Sequence, residues 1–107
     1  MTGGAGFVGS HLVDRLIDSD WRVVSVDNLS TGSLGNVNPN AEFPELDIAS
    51  KEFGSVYDSA RPDVVFHLAA QASVAISVRE PLRDANENVM GLLNVLEYVR
   101  QSPGTRI

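Results

Sequence analysis

The chain opens with Met1-Thr2-Gly3-Gly4-Ala5-Gly6-Phe7-Val8-Gly9-Ser10-His11-Leu12, a stretch rich in glycine. Gly3, Gly6 and Gly9 are spaced three apart, and Gly4, Gly6 and Gly9 also fit the pattern G-x-G-x-x-G. Apolar residues then recur at helical spacing, at Val8, Leu12, Leu16 and Ile17. The stretch therefore predicts a tight turn that leads directly into an amphipathic helix.

A turn of this kind suits a diphosphate, because free N–H groups and the helix dipole meet at the start of the helix. Glycines allow the tight turn, the close approach of the backbone to the ligand and the packing of helix on sheet. The context that gives the motif meaning is a strand followed by an acid about 20 residues on. Residues 21–27 supply both, since Val23, Val24 and Val26 predict a buried strand and Asp27 follows Gly9 by 18 residues.

An acid at this position accepts hydrogen bonds from the adenosine ribose hydroxyls and repels a 2′-phosphate. Asp27 therefore predicts NAD as the cofactor, in preference to NADP. The alternative is a solvated acid in the turn before Asn28.

The rest of the chain alternates strands and helices, which is typical of an α/β fold. After a polar loop at residues 30–40, the pattern predicts a short strand at 42–48 near a sheet edge, because it contains Pro44. It further predicts a helix at 51–60 capped by Ser50, a buried strand at 64–70, a serine-rich loop at 73–78 and a helix at 81–100. We expect a Rossmann-like, doubly wound parallel sheet with the strand order 3-2-1-4.

We expect this sheet to be partial. Only Met1 and Thr2 precede Gly3, and the chain ends at Arg106-Ile107, where the next strand should begin. The prediction is a single NAD-binding domain fragment at residues 1–107, with the first strand, the C-terminal half and the substrate domain missing. A misassigned start at Met1 is the alternative.

The apolar stripe of the last helix is predicted at Ala85, Val89, Leu92, Leu93, Leu96 and Val99. At about 100° per residue, Asn88 lies on the flank of this stripe and Asn94 on its far side. Met90 and Val95 form a slight second apolar patch.

Composition excludes several classes of function. The net charge of −6 argues against nucleic acid or an anionic membrane as a partner. With no cysteine and two distant histidines, the chain offers no metal site and no thiolate chemistry. No leader and no long apolar run is present, so we expect a cytoplasmic protein. No Walker lysine follows the glycines, which argues against phosphoryl transfer.

Three motifs together resemble the extended short-chain dehydrogenase/reductases. They are Thr2 to Leu12, Val26-Asp27-Asn28-Leu29-Ser30-Thr31-Gly32 and His67-Leu68-Ala69-Ala70-Gln71. Among these proteins, the sequence is most similar to NAD-dependent sugar-nucleotide epimerases of the UDP-glucose 4-epimerase type. The resemblance covers nearly all 107 residues.

The resemblance implies a set of NAD contacts on this chain: Gly3, Gly6, Phe7, Val8, Gly9, Asp27, Asn28, Leu29, Ser30, Thr31, Asp47, Ile48, Leu68, Ala69, Ala70, Gln71 and Asn88. Residues 28–31 would curl over the ribose, and Asp47 and Ile48 would face the adenine. Each has a plainer alternative. Asp47 would otherwise cap a helix or close a turn, and Asn88 would otherwise be a buried amide that bonds backbone.

The resemblance also implies the reaction. In this family a tyrosinate removes a proton from a sugar hydroxyl while hydride passes to NAD, and a lysine four residues later lowers the pKa of that tyrosine. Tyr57 and Tyr98 lack such a lysine, because the single lysine is Lys51. We therefore expect no catalytic residue here and no turnover by the 107-residue chain.

The longer protein is expected to invert C4 of a UDP-hexose through a transient 4-keto intermediate, with a nucleotide-sugar substrate approaching residues 73–78. The alternatives are a sugar-nucleotide dehydratase or decarboxylase, or a non-catalytic dinucleotide-binding module. Leu92 replaces the threonine usual in the family, which weakens the assignment to a subfamily. A homodimer through the helix at 81–100 is a further expectation.

Overall fold

A computed structural model describes all residues, 1–107, of the chain. Five α-helices follow one another: α1 (Phe7–Ile17), α2 (Glu52–Ala60), α3 (Val74–Arg79), α4 (Pro81–Ala85) and α5 (Gly91–Arg100). A 3₁₀ turn at Leu34–Asn36 lies in the loop after the second extended segment, and a π turn at Asn86–Met90 joins α4 to α5. None of the helices combines the length and the apolar character that spanning a bilayer requires.

Single parallel bridges, rather than long strands, join the extended segments. Thr2 pairs with both Val26 and His67, and the outer pairs are Val24–Glu42, Asp27–Glu45 and Val64–Arg106. These pairs place the segments side by side in the chain order third, second, first, fourth, fifth. The predicted order 3-2-1-4 is thus confirmed, and residues 42–46 lie at an edge as Pro44 indicated.

Of the first strand, expected to be missing, the carboxyl end is present. Met1 and Thr2 themselves hold the central position: Thr2 N–H donates to Phe66 O, and Val26 N–H donates to Met1 O. They supply only the carboxyl end of a strand, so residues 22–24 and 64–66 extend beyond them on either side.

The core lies where this sheet meets α2 and α5. Six buried side chains form it: Val26, Ile48, Phe53, Tyr57, Val65 and Val95. The rings of Phe53, Tyr57 and Tyr98 contact one another with centroids 5.5–6.1 Å apart. The predicted periodicity of α2 is confirmed, and its end is set by Arg61 at a φ of 45° before Pro62.

The predicted apolar stripe of α1 is confirmed in part, since Leu12, Leu16 and Ile17 are half-buried. Gly9, Ser10 and Val13 are buried, whereas Val8 is 63% exposed. A Cβ on Gly9 would lie 2.0 Å from Gly3 O, so contact between backbones brings this face of α1 onto the glycine turn. Hydrophobic periodicity did not reveal this face because its first residues, Gly9 and Ser10, are small.

The predicted stripe of the last helix is confirmed only at Leu92 and Val99, which are half-buried. Val95 is fully buried, whereas Val89 and Leu93 are more than half exposed. Asn94, expected on the far side, donates through Nδ2 to Ile48 O at 2.6 Å. The cause is the π turn before Gly91, together with Ile48, whose Cδ1 occupies the space beside Gly91 that a Cβ would need.

Two local predictions also change. Ser50 does not cap α2, because its buried Oγ has no hydrogen-bond partner and the helix begins at Glu52 without a side-chain cap. Residues 74–79, predicted as a loop, form α3, and Ser73 caps this helix by accepting a hydrogen bond from Ile76 N–H.

Candidate functional site

The glycine turn is held by close backbone contacts. Gly3 has a φ of 73°, and a Cβ on it would lie 2.6 Å from Ala69 N. The turn therefore lies directly against residues 68–69, and no side chain can stand between them. Gly6 precedes α1 in an extended conformation. A Cβ on Gly6 would have one neighbour, Gly3 O at 3.4 Å, so the space beside this residue is open.

The start of α1 presents free backbone donors. Ser10 N–H is bonded to Gly6 O, but the N–H groups of Phe7, Val8 and Gly9 have no partner, and no side chain caps the helix. Unpaired N–H groups at a helix start carry partial positive charge and attract anions. The side chains of Phe7 and Val8 are exposed at this end of the helix, and their contacts with a cofactor stay predictions.

Asp27 stands at the end of its segment and is tied to the glycine turn. Its Oδ2 accepts from Ala5 N–H at 3.0 Å, and its Oδ1 accepts from Leu29 N–H at 2.8 Å. A carboxylate accepts about four hydrogen bonds, so both oxygens keep capacity for a ligand. The sequence did not indicate this structural role, in which the Asp27 carboxylate holds the glycine turn through Ala5 N–H.

The loop after Asp27 folds back over the turn. Leu29 has a φ of 56°, and Asn28 Oδ1 accepts from Ser30 N–H, which curls residues 28–30. Ser33 N–H and Asn36 Nδ2 both donate to Ala5 O, at 3.1 and 2.9 Å. Sequence reasoning treated residue 36 only as part of a polar loop and missed this role.

Asp47 and Ile48 approach from the neighbouring segment. Asp47 Oδ1 accepts from Ala49 N–H at 2.8 Å, and its Oδ2 accepts from Asn28 Nδ2 at 3.2 Å. Asp47 therefore closes its own turn, as its plainer alternative predicted, and also braces the loop at residue 28. An adenine contact by Asp47 stays a prediction.

These elements enclose a cleft of about 160 Å³. Eleven of the residues that line it are predicted cofactor contacts: Gly3, Gly6, Asp27, Asn28, Ser30, Thr31, Asp47, Ile48, Leu68, Ala69 and Ala70. The turn, the acid and the segment after His67 thus converge on one place. Phe7, Val8, Gly9 and Leu29 adjoin this cleft in sequence but do not line it.

Gln71 and Asn88 form a network of their own outside the cleft. Asn88 Oδ1 accepts from Gln71 N–H at 2.7 Å, and Asn88 Nδ2 donates to Gln71 O at 2.9 Å. Asp84 Oδ1 accepts from Gln71 Nε2 and from Ser77 Oγ, both at 2.7 Å. The amide of Asn88 is thus used to hold backbone, and cofactor contacts by Gln71 and Asn88 stay predictions.

Glu87 lines the cleft and was not predicted. It pairs with Arg83, whose Nε donates to Glu87 Oε1 at 2.7 Å. In the sequence, only the i,i+4 spacing of Arg83 and Glu87 marks Glu87, because this spacing predicts an ion pair on one face of a helix. With Asp27 and Asp47, Glu87 gives the cleft three carboxylates.

His67 is structural in this arrangement. Its Nδ1 lies 2.8 Å from Thr2 Oγ1, and Thr2 Oγ1 also accepts from Ala69 N–H at 3.4 Å. Burial lowers the pKa of His67, which keeps the ring neutral near pH 7. The bond fixes the backbone at residues 67–69, which forms one wall of the cleft.

Comparisons with known proteins agree with this geometry. Residues 1–107 match the NAD dependent epimerase/dehydratase family. The chain is 46% identical over 101 residues to a protein of Methanocaldococcus jannaschii named putative UDP-glucose 4-epimerase, and the match covers 94% of this chain and 33% of that protein.

Two solved structures are similar. UDP-glucose 4-epimerase of Thermotoga maritima, with UDP-glucose, superposes with a TM-score of 0.92 at 53% identity, covering 95% of this chain and 33% of that one. UDP-glucose 4-epimerase of Thermus thermophilus, in complex with NAD, superposes with a TM-score of 0.89 at 44% identity, covering 94% and 33%. The chain spans about a third of the length of these relatives. It belongs to the NAD dependent epimerase/dehydratase family.

Proposed function

We propose that residues 1–107 are the NAD-binding part of a sugar-nucleotide epimerase, built as part of a doubly wound Rossmann-type sheet. The observation that carries the proposal is the meeting of three free N–H groups at the start of α1 with the carboxylate of Asp27 across the glycine turn. The donors suit the diphosphate, and the acid suits the adenosine ribose.

The start of α1, which adjoins the cleft, and the walls of the cleft each have a part in this binding. The N–H groups of Phe7, Val8 and Gly9 bind phosphate oxygens, and the absence of a side chain at Gly6 lets the diphosphate come close. Asp27 accepts from the ribose hydroxyls with the capacity left after its bonds to Ala5 and Leu29. Ala69 and Ala70, small residues beside the turn, leave room for the nicotinamide half.

Bound NAD supplies the acceptor for hydride from the sugar ring and the donor that returns it. In the longer protein the substrate is a nucleotide sugar, and the reaction inverts C4 of a UDP-hexose. The relatives named UDP-glucose 4-epimerase support this choice. A dehydratase or decarboxylase of the same family is the alternative, because the family contains dehydratases as well as epimerases. A cytoplasmic location stays a prediction.

We also propose that the longer protein forms a homodimer through the helical run 81–100. The outward face of this run is apolar: Leu82, Val89, Met90 and Leu93 are each at least 53% exposed. A contiguous apolar face of this kind on a helix is typical of a protein–protein contact.

Calorimetric titration of the chain with NAD and with NADP tests the binding proposal. We expect NAD to bind more tightly, and Asp27→Asn to lower the affinity for NAD about 10-fold or more, since a hydrogen bond to a charged group contributes about 1.5–3 kcal/mol. The same substitution should narrow the gap between NAD and NADP.

Asp58→Asn, an exposed change on α2 outside the cleft, is the matched control and should leave both affinities unchanged. Equal affinities of the unmodified chain for NAD and NADP would show that Asp27 does not face the ribose.

A further inference from the structure

The short helix α3 has no hydrophobic anchor. It contains six residues, and none of them is buried. Val74 and Val78 on this helix are 77% and 79% exposed. A helix this short is not stable in water by itself. The position of α3 must therefore depend on polar contacts with its neighbours.

These polar contacts converge on Gln71, which is only 7% exposed. Gln71 Oε1 accepts a hydrogen bond from Ser73 N–H, and Gln71 Nε2 donates to Ser73 O, so the side chain of Gln71 holds the residue that caps α3. Gln71 Nε2 also lies 3.1 Å from Ser77 Oγ, which belongs to the helix itself. The first turn of α3 is thus bound to the side chain of Gln71.

Asp84 joins this turn to the helical run that follows. Its Oδ1 accepts three hydrogen bonds, from Gln71 Nε2 and Ser77 Oγ at 2.7 Å and from Asn88 Nδ2 at 3.2 Å. A hydrogen bond to an ionised acceptor is stronger than one between neutral groups. The carboxylate of Asp84 is therefore the main connection between α3 and residues 81–100.

The residues that Asp84 holds lie directly behind the cofactor cleft. Ala70 and Glu87 line this cleft, and each is followed in the chain by a residue of the network, Gln71 or Asn88. Two hydrogen bonds, of 2.7 and 2.9 Å, join Asn88 to the backbone of Gln71. A ligand that fills the cleft therefore fixes two points, each one residue away from the network that holds α3.

We propose that Asp84 is a positioning residue that couples α3 to the cofactor cleft, so that bound NAD holds α3 in place. This role rests on the proposed NAD-binding function and adds a consequence for the substrate. Residues 73–78 are the segment that the nucleotide sugar is expected to approach. The cofactor must then be bound before this segment is in position for the sugar.

Hydrogen exchange at the backbone amides of residues 77–80, with and without saturating NAD, tests the coupling. Ser77 N–H donates to Ser73 O and Glu80 N–H to Ile76 O, so exchange at these amides reports the opening of α3. We expect NAD to slow this exchange by at least about 5-fold, the lower end of the usual coupling between two sites. Because such coupling is reciprocal, a variant that loses it should bind NAD more weakly by the same factor.

Two substitutions at Asp84 should give graded effects. Asp84→Ala removes the acceptor, so NAD should slow the exchange by less than about 2-fold, below the usual range of coupling. Asp84→Asn should keep part of the coupling, because a single oxygen accepts all three bonds and asparagine retains one such oxygen. Ser77→Ala removes only the hydroxyl that joins α3 to Asp84 and should act like Asp84→Ala. It replaces Asp84→Ala if that variant does not fold.

Val78→Gly is the matched control, because it lowers the helix propensity of α3 at an exposed position outside the network. Its exchange should be faster both with and without NAD, and the factor by which NAD slows exchange should stay unchanged. If NAD binds and depends on Asp27, but slows exchange in α3 equally in all variants or not at all, the positioning role is wrong while the binding proposal stands. If NAD does not bind, both are wrong.

Discussion

Gly9→Ala tests the contact that sets α1 against the glycine turn. A Cβ there would lie 2.0 Å from Gly3 O and 2.9 Å from Gly4 Cα, whereas real contacts of this kind do not fall below 3.0 Å. Helix and turn must therefore separate by about 1 Å, and both neighbours are backbone that cannot rotate away. Overpacking of this kind costs about 1–3 kcal/mol or more, against a gain of about 1 kcal/mol from the better helix propensity of alanine.

Because both neighbours are backbone, we take the upper end of this range, and subtracting the gain leaves an expected net loss of about 2 kcal/mol in the free energy of unfolding. The loss is measured by urea titration with Trp21 fluorescence and circular dichroism. Gly35→Ala is the matched control, because its Cβ would meet only Ser33 Oγ at 3.5 Å. The control should stay within about 0.5 kcal/mol of the unmodified chain. If Gly9→Ala is as stable as this control, close backbone contact does not position α1 and the reasoning fails.

Two further predictions concern stability. Burial lowers the pKa of the Met1 ammonium to about 6 in the folded chain, below its ordinary 8.0, so the unfolded state binds more protons between these values. The free energy of unfolding should therefore rise from pH 6 to pH 8 by about 2–3 kcal/mol. The pKa of His67 is also lowered, and this adds a change in the same direction at lower pH. Urea titrations across this range check it, and a flat or falling profile would contradict the burial of the amino group. Val95→Ala removes part of a fully buried side chain and should lower the free energy of unfolding by about 2–3 kcal/mol. The control Val78→Ala, at a position 79% exposed, should change it by less than about 0.5 kcal/mol. Equal effects of the two substitutions in thermal unfolding would place the core elsewhere.

Much of the candidate site could be predicted because its elements are local in sequence. The glycine turn, Asp27 and the segment at residues 67–70 each follow from spacing and strand position, and the parallel order of the segments brings them together. These features depend on backbone geometry, which glycine spacing and strand ends encode directly.

The faces of the helices could not be predicted in the same way. The buried face of α1 begins with Gly9 and Ser10, which carry little hydrophobic signal, and α5 turns Val95 inward after a π turn. A periodicity of 3.6 residues assumes a regular helix, and it fails where a small residue allows close approach or an extra residue enters a turn.

Side-chain bonds across long stretches of sequence were likewise missed. Asn36 bonds Ala5, and Asn94 bonds Ile48 and Ser50. An asparagine in a loop or on a helix flank has many possible partners, and only the folded chain selects one. The same holds for Asn88, whose amide bonds the backbone of Gln71.

The central claim is that the backbone at the start of α1 grips the diphosphate of NAD, and Gly6→Ala tests it most directly. A Cβ on Gly6 would meet only Gly3 O at 3.4 Å, an ordinary contact, so the fold should tolerate it. It would nevertheless stand in the cleft, where the diphosphate must approach. Calorimetric titration with NAD should show at least a 10-fold loss of affinity, with the free energy of unfolding within about 1 kcal/mol of the unmodified chain. Unchanged NAD affinity in this variant would contradict the account.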